Sequence, residues 1–116
     1  MLPYVLSVAY DQTLADRLRD ALAPRAGLSE RKMFGGIAFM VCGNMAVGVI
    51  GEDLMVRLDS ADAERALGEA HVRPMDFTGR PAKGMVIVGP EATATDEDLG
   101  AWVDAGADFA ASLPPK

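Results

Sequence analysis

The sequence predicts an α+β domain, a mostly antiparallel five-stranded sheet with helices packed on it, in the order α-β-β-β-α-β-β-α. Three observations carry this. Apolar residues recur at helical spacing near both ends of the chain. Between them, runs of Val, Ile, Phe and Met are separated by short glycine-containing turns, and strands follow strands instead of alternating with helices.

The first helix starts at Asp11, whose carboxylate can cap free backbone N–H groups, and Leu14, Leu18 and Leu22 repeat every four residues along it. Asp16, Arg17, Arg19 and Asp20 fill the polar face, and Pro24 stops the helix. A loop is expected over Arg25 to Ser29. From Lys32 to Leu58 the sequence reads as a three-stranded meander, broken at Gly43-Asn44 and again at Gly51-Glu52-Asp53, residue types that tolerate positive φ in tight turns. Gly35-Gly36 falls inside the first of these strands, where missing side chains favour a bulge, a bend or close approach by another backbone.

Ser60 is expected to cap a short helix over Ala61 to Glu69, with Ala63, Ala66 and Leu67 as a narrow apolar stripe. Two strands follow, His71 to Phe77 and Met85 to Val88, joined by the turn-rich segment Thr78 to Gly84. Thr95 with Asp98 three residues on is a variant capping box. It opens a last helix whose apolar face runs through Leu99, Trp102, Val103, Gly106, Phe109, Ala110 and Leu113 before Pro114-Pro115 ends it.

At 116 residues the chain has the length of one domain, 1–116, and its apolar half suffices for a core without staples. Eleven basic against seventeen acidic side chains leave a formal charge of −6, a field that repels nucleic acid and anionic membrane. The charge is uneven, however. Glu91 to Asp108 holds six acids and no base, whereas Arg73 to Lys83 holds three bases and one acid. One cysteine forms no internal disulfide, the N-terminus lacks a signal-peptide pattern, and no apolar run approaches the roughly twenty residues of a membrane span. A cytoplasmic location and no membrane contact are expected.

Chemistry-bearing motifs are sparse. Cys42 has no base near it in sequence, and the single histidine, His71, opens a strand elsewhere, so both read as structural. Metal-ligand spacings such as CxxC or HxxxH do not occur, and the acids Asp96, Glu97 and Asp98 suit the first turn of a helix. The glycines from Gly43 to Gly51 match no phosphate-binding loop, which predicts no cofactor and no enzymatic activity. Met33, Met40, Met45, Met55, Met75 and Met85 all fall in or beside strands, as deformable filling for a core. What stands out is a set of cations on the strands and their loops. Lys32, Arg57, Arg80 and Lys83 are the candidate partner or anion site, with Arg73 nearby, against the ordinary alternative of solvated surface charge. Arg57 lies between Val56 and Leu58 and should point away from the face they share.

The stretches Lys32-Met33-Phe34-Gly35-Gly36, Gly43-Asn44-Met45, Met55-Val56-Arg57, Pro74-Met75-Asp76-Phe77, Gly79-Arg80-Pro81 and Lys83-Gly84 resemble the N-terminal domain of the TfoX/Sxy family, as does the ending Ser112 to Lys116. The resemblance covers nearly the whole chain. It implies an α+β fold with one antiparallel sheet, like that of secretion chaperones, and a domain that forms homodimers. It also implies a transcriptional co-regulator without enzymatic activity, since the best-known members promote competence genes alongside the cyclic-AMP receptor protein. Those regulators carry a second, C-terminal domain, whereas this sequence is expected to be a short, single-domain member. Two other readings rest on the cations alone: direct nucleic-acid binding as an accessory protein, and capture of a small anionic ligand near Gly79 to Gly84.

Overall fold

The computed structural model describes residues 10–33, 35–75 and 83–116. Three α-helices and six strands form two layers: α1 Gln12–Leu22, β1 Leu28–Met33, β2 Gly36–Val41, β3 Asn44–Ile50, β4 Asp53–Arg57, α2 Ser60–Ala66, β5 Val72–Pro74, β6 Met85–Val88 and α3 Asp96–Ser112. The strands make a single antiparallel sheet in the order β1-β2-β3-β4-β6-β5. The α+β class and the sequential meander are as the sequence predicts, but the strand count is six where five were expected.

The extra strand comes from the Gly35-Gly36 position. Where a bend in one strand was expected, the chain reverses completely, and Leu28–Met33 pairs along β2 with Met33 opposite Gly36. The two glycines serve different needs. Gly35 has φ +75°, a left-handed conformation that costs an L side chain energy. Gly36 has ordinary backbone, but a Cβ there would overlap the carbonyl oxygen of Val49, so the close approach allowed for in the sequence is real.

Helix starts follow their caps. Asp11 accepts from the N–H of Leu14 at 3.1 Å, and Thr95 accepts from the N–H of Asp98 at 3.0 Å. For α2 the cap is Asp59 and not Ser60: its carboxylate accepts from the N–H of Asp62 at 2.8 Å, so the helix starts one residue early and ends at Ala66. The predicted strand from His71 is shorter, three residues beginning at Val72, because His71 itself is left-handed with φ +66°. Phe77 and residues 78–82 of the predicted turn lie outside the described residues.

Leu14, Leu18 and Leu22 of α1 and Leu99, Val103, Ala107 and Ala110 of α3 pack on the inward side chains of the sheet, among them Ile37, Phe39, Val47, Val49, Leu54, Val56, Val86 and Val88. All of these are buried, and burying each large aliphatic side chain contributes about 1.5–3 kcal/mol. Gly106 sets how closely α3 lies on β3, since a Cβ there would stand 2.6 Å from the Ala46 carbonyl oxygen and 2.9 Å from Val47 Cγ1. On the other face of the sheet Met55, Met75 and Ile87 form a second small cluster, joined by Met45, Ile50 and Met85. Met40, Met55 and Met75 are thus buried, with Met45 and Met85 packed half-buried beside the cluster and Met33 outside it, and Gly48 opens the space that the Met55 Cε occupies.

Candidate partner-binding site

The pairing of β4 with β6 brings together two of the four candidate cations. Arg57, the last residue of β4, is the direct partner of Met85, and the next N–H, of Leu58, donates to the Gly84 carbonyl at 2.7 Å. Lys83 therefore sits beside Arg57 at one end of the sheet, on the neighbouring strand connection. Alternation turns the Arg57 Cβ away from the Val56 face, yet at the strand end its long side chain reaches helix α3. Its guanidinium carbon lies 5.6 Å from the centroid of the Phe109 ring, a cation–π contact.

Lys32 is not part of this grouping. It lies exposed on β1, three strands from β4, and its row across the sheet runs through Ile37 and Val49 to Leu54, three residues from Arg57. Strand spacing and rise put the two residues roughly 15 Å or more apart. Arg80 lies outside the described residues. Arg73 is held by Asp53 at 2.8 Å, which neutralises it locally. The strip of charge imagined from the sequence thus resolves into Arg57 with Lys83 at one end and Lys32 alone at the far edge.

Next to Lys83 is a groove of about 310 Å³ between α2 and the β5–β6 edge. Ala63, Leu67, Pro74 and Met85 make it apolar, and Lys83 and Glu64 stand at it as charges of opposite sign. Leu67 is 40 % exposed, one of two large apolar side chains left open to solvent among the described residues. The sequence predicts Leu67 in a narrow apolar stripe with Ala63 and Ala66. Those two are buried, whereas Leu67, the C-cap of α2, keeps helical backbone with its N–H on the Ala63 carbonyl and lines the groove on the same side as Ala63. The signal was its position just before Gly68. Of the segment Gly79 to Gly84, where capture of an anionic ligand was expected, Lys83 and Gly84 line this groove and residues 79–82 lie outside the described residues.

A second depression of about 410 Å³, bounded by Glu52, Asp53, His71, Arg73 and Glu91, is polar and internally compensated. Besides the Arg73–Asp53 pair, His71 Nδ1 lies 3.7 Å from Glu91 Oε1. Cys42 is exposed in the β2–β3 turn, and three strands separate that turn from His71 beside β5, so the two do not form a nucleophile and base. Among the described residues no three metal-ligating side chains gather, and no helix is long and apolar enough to cross a membrane.

Fold and site together define a two-layer α+β domain with an apolar groove, flanked by Lys83 and Glu64, between α2 and the sheet edge. Comparison with families of known proteins matches residues 20–110 to the TfoX N-terminal domain. The chain belongs to that family. No curated protein matches it.

Proposed function

We propose that this protein is a non-enzymatic regulatory module that works by binding another protein, as a competence-related transcriptional co-regulator. Membership of the TfoX N-terminal domain family across 20–110 is the observation that carries the reading. The groove supports it: an exposed leucine and a methionine beside a lysine suit an apolar side chain and a carboxylate on a partner. A transcription factor of the cyclic-AMP receptor protein kind is the partner proposed, which would place the protein in the cytoplasm. The formal charge of −6 and the distance of Lys32 from Arg57 weigh against unaided binding of nucleic acid.

The test is calorimetric titration of the purified protein with a cyclic-AMP receptor protein, with and without promoter DNA. Saturable binding that Leu67→Asp weakens at least tenfold would support the reading. Binding to DNA alone, falling steeply with salt and indifferent to Leu67→Asp, would replace it with the nucleic-acid reading.

A further inference from the structure

The two edges of the sheet are built differently. β5 is three residues long and contains Pro74, which has no N–H to offer a neighbour, so that edge is closed to strand addition. β1 is six residues long, carries neither proline nor glycine, and is exposed along Leu28 to Lys32. Among the described residues it has no strand on its outer side.

The hydrogen-bonding phase of β1 follows from its inner ladder. At one end the Cys42 N–H donates to the Gly27 carbonyl at 2.8 Å, and at the other Met33 faces Gly36 across the reversal. In an antiparallel pair the bonded residues alternate, so Gly27, Ser29, Arg31 and Met33 turn their backbone groups toward β2. Leu28, Glu30 and Lys32 turn theirs outward. The side chains of Glu30 and Lys32 meanwhile stand on the helix side of the sheet, opposite Phe39 and Ile37.

We propose that two copies of this protein join through β1, strand to strand and antiparallel about a two-fold axis normal to the sheet, with Glu30 of each copy opposite Lys32 of the other. Such an axis keeps the helix layers of both copies on one side, so only registers that pair outward-bonding residues with one another are open. A register centred on Glu30 would set Glu30 against its own copy, and one centred on Lys32 would set lysine against lysine. The register centred on Arg31 gives two reciprocal Glu30–Lys32 pairs, each also a hydrogen-bonded backbone pair, at the cost of Arg31 facing Arg31 on the other side of the sheet. Charges on an edge ordinarily discourage pairing; here the signs disfavour the registers centred on Glu30 and Lys32, and the one centred on Ser29, which sets Leu28 against Glu30, forms no ion pair. Arg19, which holds Glu30 at 2.8 Å, orders that carboxylate for the second copy's lysine. Leu28, 39 % exposed at the groove it shares with Leu22 and Phe39, adds apolar area at the ends of the interface.

This inference goes beyond the reading of a module that binds a regulator, and its test needs no regulator. Sedimentation of the purified protein across a range of concentrations should show a monomer–dimer equilibrium with Kd on the order of micromolar, as suits a small interface. Lys32→Pro removes an outward N–H without touching the β1–β2 ladder and should leave a folded monomer by circular dichroism. Lys32→Glu should weaken the dimer about tenfold, and Glu30→Lys/Lys32→Glu should restore it, because both pairs are then reversed together. If the double variant does not fold, Lys32→Pro and Lys32→Glu decide between them. A wild-type protein that stays monomeric, or a dimer that Lys32→Pro leaves intact, overturns the proposal, and partner binding then stands or falls by its own titration.

Discussion

The side-chain amide of Asn44 donates to the carbonyl of Pro114 at 3.0 Å and reaches the Ala110 carbonyl at 3.4 Å, tying the first residue of β3 to the end of α3. Asn44 is only 2 % exposed, and the link is extended by the Lys116 N–H, which donates to Cys42 at 2.9 Å. A residue that the sequence offers as turn chemistry is thus also the clasp for the C-terminal segment.

Asn44→Ala should therefore lower stability by about 1–3 kcal/mol, the cost of leaving buried carbonyls without their donor. Chemical denaturation checks the magnitude. Faster amide exchange from Leu113 to Lys116 in the same variant would locate the loss at the clasp, and an unchanged exchange pattern would refute the link.

The paired glycines at the first reversal should respond unequally to alanine. Gly35→Ala meets open space and bears only the left-handed backbone, about 1–2 kcal/mol. Gly36→Ala drives a methyl into the Val49 carbonyl and should cost more than about 3 kcal/mol or prevent folding. Thermal melts of the two variants measure the difference, and equal losses would contradict it.

Gly106→Ala tests the seat of α3 on β3. A Cβ 2.6 Å from the Ala46 oxygen forces the helix outward, with an expected loss of about 1–3 kcal/mol, although alanine favours a helix by about 1 kcal/mol over glycine. Gly100→Ala, which meets open space in the same helix, is the control and should stabilise.

Hydrogen bonding from Arg19 holds the Glu30 carboxyl below its ordinary pKa of 4.5. A carboxyl with a lowered folded pKa contributes stability that is present above its unfolded pKa and lost as pH falls through the folded one. The pair is solvent-exposed, so the contribution is about 1 kcal/mol at most. Acid titration of stability below pH 4.5 should be shallower in Arg19→Met than in wild type, and identical curves would remove the pair from consideration.

Local chemistry was legible from the residues alone. The caps at Asp11 and Thr95 and the strand Met85–Val88 depend on neighbours within one turn or on simple alternation, and they appear where the sequence puts them. The cap of α2, expected at Ser60, is Asp59 instead, decided by one hydrogen bond that either residue type could have made. For the candidate site, Lys83 and Arg57 were legible as chemistry but not as neighbours.

β1 shows why the remainder was not. Leu-Ser-Glu-Arg-Lys-Met has no apolar alternation, because a strand at an open edge has little to bury, and its strand state comes from hydrogen bonds to β2. Gly36 is required by Val49, and the pairing of β4 with β6 brings the backbone of Arg57 near that of Lys83. Composition and short-range pattern therefore set the class of fold, its helices and the turns at Gly43-Asn44 and Gly51 to Asp53, but not the reversal at Gly35-Gly36. Strand number, the separation of Lys32 from Arg57 and the groove beneath Leu67 were decided by contacts between residues distant in sequence, which no local window contains.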